Sequence, residues 1–184
     1  MGIESGDDFV RNKILNKGTT RDKIVSACRI IKKYKIRLEC ENILGIPGVN
    51  LTSDLETAKL NIICKPDYAA SYIFQPHPKT ILSEVSKWKY GFSGNYDEIT
   101  NFYQSSILDI ENKTERDNLQ KLFPYLVEFP CLIHIIKLLI KIPAKSFYRL
   151  LNKIWIGYCA RFRIVPYRFK ISEFLWDLYL FIRR

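Results

Sequence analysis

The residues of this chain whose types could do chemistry gather in three loops, each following a short apolar run and preceding a helical stretch. They are Glu4 and Ser5 within Gly2-Ile3-Glu4-Ser5-Gly6, the turn Gly45-Ile46-Pro47-Gly48, and the run Phe74-Gln75-Pro76-His77-Pro78. Strand, loop, helix, strand is the unit of a parallel sheet or barrel, and such folds collect their chemistry at the carboxyl ends of the strands. The five cysteines, Cys28, Cys40, Cys64, Cys131 and Cys159, never fall at CxxC or CxxxC spacing, so neither a zinc knuckle nor an iron–sulfur loop can be read from them. Cys28, Cys40 and Cys64 stand among apolar neighbours and read as small hydrophobes. His134 has no partner at ligand spacing and reads as a helix-surface or core-edge residue.

The elements that must position these loops follow from periodicity. Thr19 with Asp22 three residues on resembles a capping box, and Ile24, Ala27, Cys28, Ile31 and Tyr34 then give one buried helical face. Ile36 to Leu44 predicts a strand, with Ile36, Leu38 and Cys40 alternating against Arg37, Glu39 and Glu41. A parallel strand normally buries both faces, so the charges imply either a polar cavity or a water-facing edge. Ser53 with Glu56 predicts the next helix start, with Leu55, Ala58, Ile62 and Ile63 as its buried stripe and Lys65-Pro66-Asp67 as its stop. Tyr68 to Gln75 predicts a third strand, which Pro76-His77-Pro78 must end, since proline cannot donate to a ladder. Thr80 caps a short helix through Trp88.

The 184 residues suit one domain with room for an appendage, and 47% apolar with 26% charged residues is ordinary for a folded chain. No apolar run reaches the ~20 residues that span a bilayer, and the first residues lack the order of a signal peptide, which places the expected compartment in the cytoplasm. The net charge of +10 is uneven. From Cys131 to Arg184 there are eleven Lys or Arg against Glu173 and Asp177, a net +9, whereas the preceding residues sum to +1. Composition therefore changes near Pro130. Helices are predicted over Asn118 to Phe129 and Pro130 to Leu151, the second with Leu132, Ile135, Ile136, Leu139 and Ile140 as its stripe.

Taken in order, Gly-Ile-Glu-Ser-Gly, Leu15-Asn16-Lys17, Asn-Ile-Leu-Gly-Ile-Pro-Gly and Phe-Gln-Pro-His-Pro-Lys-Thr resemble the second half of a radical S-adenosylmethionine (SAM) core, nearest the cobalamin-binding group. The resemblance continues through Phe102-Tyr103-Gln104-Ser105-Ser106 and Asn118-Leu119-Gln120-Lys121-Leu122-Phe123-Pro124, and spans roughly residues 1 to 160. It implies an α/β fold of three parallel β/α units from a partial (β/α)6 TIM-like barrel over residues 1–90, then a mostly helical, basic and aromatic-rich extension over 91–184. In that family SAM sits beside a [4Fe–4S] cluster held by a CxxxCxxC loop, and its cleavage yields a 5′-deoxyadenosyl radical. Carried over by position, Glu4 and Ser5 would lie near the SAM ribose and methionine moiety. Lys17 takes the place of an arginine that pairs with the SAM carboxylate, losing the bidentate fork. Gly45, Pro47 and Gly48 would face the adenine, and Phe74, Gln75 and Pro76 would end the last strand.

Departures bound this expectation. Pro47-Gly48-Val49-Asn50 stands where the family reads Pro-Gly-Glu-Thr, and Lys35 where a helix-ending glycine is common. The cluster cysteines, the first three strands and any cobalamin domain are absent, so the iron–sulfur cluster and cobalamin are expected only in the full-length family. The chain thus reads as a C-terminal fragment or split part that lends one wall to a SAM site, is inactive alone, and associates with an N-terminal half or separate subunit. An exposed sheet edge near Glu4 predicts poor solubility without such a partner. The alternative is a non-catalytic module whose basic amphipathic helices contact an anionic membrane surface or a partner protein. A helical cap packed on the barrel explains the same residues, and the resemblance favours it; nucleic acid ranks last among the three.

Overall fold

A computed structural model describes residues 1–99, 102, 105–165 and 170–183. Three short strands, β1 (Gly2–Glu4), β2 (Glu39–Leu44) and β3 (Tyr68–Ile73), form a parallel sheet in the order β1-β2-β3. Helix α1 (Arg21–Lys33) joins β1 to β2, and α2 (Leu51–Cys64) joins β2 to β3. After β3 come α3 (Ile81–Lys89), α4 (Lys113–Glu128), α5 (Ile133–Leu139), α6 (Lys145–Cys159) and α7 (Ile171–Arg183).

Local chemistry explains most boundaries. The cap of α1 is Thr20, which accepts from the Lys23 amide, rather than Thr19; that of α2 is Asn50, accepting from Ser53, rather than Ser53 itself. Both shifts follow one rule: the side-chain oxygen that reaches the third amide on wins the cap. Thr80 caps α3 as expected. Lys35 and Lys65 adopt left-handed φ of 56° and 50°, the conformation that ends a helix but which glycine adopts more cheaply. The second and third strands are shorter than predicted, beginning at Glu39 and ending at Ile73. The expected helix from Pro130 to Leu151 is divided into α5 and α6, with Pro130–Leu132 a 3-10 turn.

One face of the sheet is covered by helices. Ile3 and Cys40 pack with Ile24, Val25 and Cys28 of α1 and Leu60 and Cys64 of α2. Farther along, Leu44, Ala69 and Ile73 join Ala58 of α2 and Leu119, Leu122, Phe123 and Leu126 of α4 in one core that also takes in Ile136, Ile140 and Tyr148. The inward face of α2 differs from its predicted stripe: Asp54, Thr57 and Asn61 are buried there, while Ile63 is exposed. Partners explain the inversion. Asn42 and Asn61 exchange amide hydrogen bonds of 3.3 and 2.7 Å, and Asn42 also donates to the Ala70 carbonyl at 2.8 Å. Buried amides are tolerated when their bonds are made.

Helix α4 is buried along most of its length and contains Pro124. Proline has no N–H, so the carbonyl four residues earlier loses its helical donor. That carbonyl belongs to Gln120, and the Ser71 hydroxyl of β3 donates to it at 2.8 Å, while the Gln120 amide donates back to the Ser71 carbonyl at 2.7 Å. The proline thereby opens the bond that seats α4 on the sheet.

Among the glycines, Gly6 comes closest to another stretch of backbone. A Cβ there would lie 2.2 Å from the Glu56 carbonyl oxygen of α2. Gly6→Ala is expected to destabilise by about 1–3 kcal/mol, as overpacking against backbone does; an unchanged urea midpoint would contradict this close approach.

Candidate functional site

The uncovered face of the sheet carries a cavity of about 280 Å³. Its polar lining is Glu4, Glu41, Gln75 and His77, and Ile43, Tyr72, Phe74 and Phe102 form its apolar walls. Because β2 is the central strand, its alternating charges do not face water at an edge: Cys40, Asn42 and Leu44 point to the helices and Glu41 to the cavity. Burial first, then the Glu41 carboxylate, pushes the nearby Glu39 carboxyl up.

Glu4 ends β1 with a φ of +64°, a left-handed conformation that costs a non-glycine residue of order 1 kcal/mol. Its carboxylate accepts from the Lys17 ammonium at 2.9 Å. The loop behind it is firmly held. Arg11, fully buried, donates to the carbonyls of Ser5 and Thr19, both at 2.8 Å, and pairs with Asp8. The Gly6 amide donates to Thr57, and the Ser53 hydroxyl donates to Asp7 at 2.6 Å. Burial raises the Asp7 carboxyl, but the Ser53 hydroxyl and the Val10 and Phe9 amides outweigh it and hold it below the usual carboxylate value.

Gln75 is buried at 3% exposure; its amide donates to the Ser105 carbonyl at 3.3 Å, and its Oε1 has no protein partner among the described residues. Gln75 lines the cavity, and a buried acceptor without a donor is costly, so a donor brought to it gains that cost back. Beside it the His77 ring stacks on Phe102, centroids 5.6 Å apart.

Of the nine residues expected at the site, Glu4, Phe74 and Gln75 line the cavity, and Lys17 reaches it through Glu4. Ser5 and Pro76 are buried in the flanking loops. Gly45, Pro47 and Gly48 shape the β2–α2 turn without lining the cavity. Gly45, at φ +73°, leaves only 3.2 Å between a would-be Cβ and Ile73, and its amide donates to Asp54. Asp54 in turn accepts from Arg116 at 2.6 Å, while the same guanidinium donates to the Val49 carbonyl at 2.6 Å. Burial pushes the Asp54 carboxyl up, and Arg116 opposes that push.

Sequence reasoning placed His77 in a candidate loop without giving it a role, and missed Tyr72 and Phe102 as cavity residues and Asp54 with Arg116 as the brace of the turn. Glu41 was signalled by the charged alternation of its strand. Cys28, Cys40 and Cys64 lie on the opposite, helix-covered side, and no group of His, Cys, Asp or Glu suited to a metal ion occurs among the described residues. Tyr103, Gln104 and Arg184 lie outside the described residues. No helix is long and apolar enough to cross a membrane among them. The sequence matches no protein-family model and no curated protein.

Proposed function

We propose that this chain forms one wall of a SAM pocket of the radical SAM type, in a partial (β/α)6 barrel completed by a separate segment or subunit. The observation that carries the reading is the meeting of the first and third strand ends, Glu4 and Phe74-Gln75, in one cavity over the open face of a parallel sheet. The donor set fits the nucleoside and sulfonium parts of SAM. Glu4 and Glu41 are acceptors for ribose hydroxyls and give the cavity a negative sign that suits a sulfonium cation. The unpartnered Gln75 Oε1 would accept a further donor after a small turn of its side chain toward the cavity, and His77 with Phe102 offers a flat aromatic surface. Lys17 is engaged by Glu4, so a methionine carboxylate must share its ammonium.

The residues do not fit a [4Fe–4S] cluster, because three of the five cysteines are packed beneath the helices and none form a CxxxCxxC triad. The chain's part is therefore to bind and orient, and radical generation requires the partner. β1 is one of the two outer strands, and its outward edge is the place for a partner strand, while on the other side the Ile73 amide of β3 donates to the Phe102 carbonyl.

Calorimetric titration tests the binding wall. SAM is expected to bind more tightly than S-adenosylhomocysteine, the analogue whose sulfur is a neutral thioether, and Glu4→Gln to weaken SAM by about tenfold, the cost of one charge-assisted hydrogen bond. Equal affinity for both ligands, or none for SAM, would overturn the reading.

A further inference from the structure

We propose that the outward face of α6 binds the surface of an anionic phospholipid bilayer. At 3.6 residues per turn this helix has three faces. Tyr148, Asn152 and Cys159 are buried toward α4, with the Trp155 ring 4.7 Å from Tyr125 and Asn152 donating to the Lys121 carbonyl at 2.9 Å. Phe147, Leu150, Ile154 and Tyr158 fall within another sector of about 80°. They are 57%, 53%, 56% and 42% exposed, and Phe162 extends the stripe. Lys145, Arg149 and Lys153 occupy the remaining flank. The apolar arc of α6 is thus wider than α4 covers. A helix of 15 residues with one apolar and one basic sector suits the headgroup plane of a bilayer rather than its interior.

Charge decides the occupant. Residues 131–184 carry a net +9. A second copy of the chain would bring like charge against like, whereas a bilayer of acidic lipid supplies the opposite charge over a wide surface. Nucleic acid answers the charge but not Leu150 and Ile154, whose aliphatic side chains offer neither a stacking face nor a hydrogen bond. Trp176 and Tyr179 of α7, also exposed, add rings suited to the interface between headgroups and acyl chains.

Flotation of the full chain with phosphatidylcholine vesicles, with and without phosphatidylserine, tests the proposal. The chain is expected to float only with phosphatidylserine and to be released by high salt. The double substitution Leu150→Ser with Ile154→Ser, both exposed positions, is expected to lower partitioning at least about tenfold. Arg149→Glu is expected to lower it about fivefold or more. Far-ultraviolet circular dichroism matching the unsubstituted chain certifies the fold of each variant. Absence of flotation at low salt overturns the proposal, as does unchanged flotation of the folded double variant. Retention on single-stranded RNA without vesicle binding assigns the basic face to nucleic acid instead, and a dimer abolished by the double substitution, without vesicle binding, assigns the stripe to a second copy.

Discussion

Replacing Arg116 by methionine is expected to lower the unfolding free energy by about 3–5 kcal/mol, the usual cost of stranding one member of a buried ion pair. Arg116 and Asp54 are 1% and 3% exposed in their side chains, and the guanidinium makes two bonds to the carboxylate, of 2.6 and 3.3 Å. Without it, Asp54 keeps only the weak Gly45 amide bonds, at 3.3 and 3.4 Å, and the Val49 carbonyl loses its donor. Desolvation then outweighs what attraction remains, and the carboxyl takes up a proton or the turn opens. The double variant Asp54→Leu with Arg116→Met should recover much of the loss, since removing both charges also removes the desolvation cost. Denaturant midpoints for both singles and the double give the coupling directly. Additive losses would mean that the pair does not brace the β2–α2 turn. Because that turn follows β2 beside the cavity, Arg116→Met should also weaken any SAM binding, though Arg116 does not line the site.

The second large effect is a stability that rises in alkali. Lys121 is 3% exposed, and its ammonium donates to the Asp117 carbonyl at 2.8 Å. Burial pulls its pKa down to about 8; the Asp117 carboxylate opposes this, while Arg149 and Lys145 reinforce it. The ordinary value in an unfolded chain is 10.5. Between these values the unfolded state binds more protons than the folded one, so stability rises with pH from about 8 to 10.5 and is flat, at its lower level, below that window. The span corresponds to roughly 3 kcal/mol. Lys121→Met removes the titration. Its stability at neutral pH should exceed that of the unsubstituted chain, by less than the full amount because Asp117 loses a nearby cation. Urea unfolding at pH 7 and pH 10 isolates the term, and an identical pH slope in both proteins would sink it.

These two predictions fall where sequence reading was weakest. The helix was expected to begin at Asn118, which left Lys113-Thr114-Glu115-Arg116-Asp117 outside it. The fold instead starts α4 at Lys113 and buries Arg116, Asp117, Asn118, Gln120 and Lys121. Nothing local could reveal this, because the partners of Arg116, Asn118 and Gln120 are Asp54, the Ile140 and Ile142 carbonyls, and Ser71. The inverted burial of α2 has the same origin: Asn61 is inside and Ile63 outside because Asn42 of β2 faces Asn61 directly. In the cavity, Glu4, Phe74 and Gln75 were legible from their loops, and Glu41 from strand alternation. The pairing of His77 with Phe102 was not, because a stacked ring pair between separate loops leaves no mark on periodicity.

Up to α3, the order of strands and helices and the turns between them were legible from the residues alone. Each rests on contacts within a few residues, such as Thr80 at the α3 amide or Gly45 and Gly48 at positive φ. Tertiary structure decided which face of β2 meets the helices and which meets the cavity, and which buried polar groups find partners. It also left part of the apolar arc of α6 uncovered. Those outcomes depend on groups far apart in the chain, brought together where an unmet hydrogen bond or charge is costly, and only the assembled fold shows which are met.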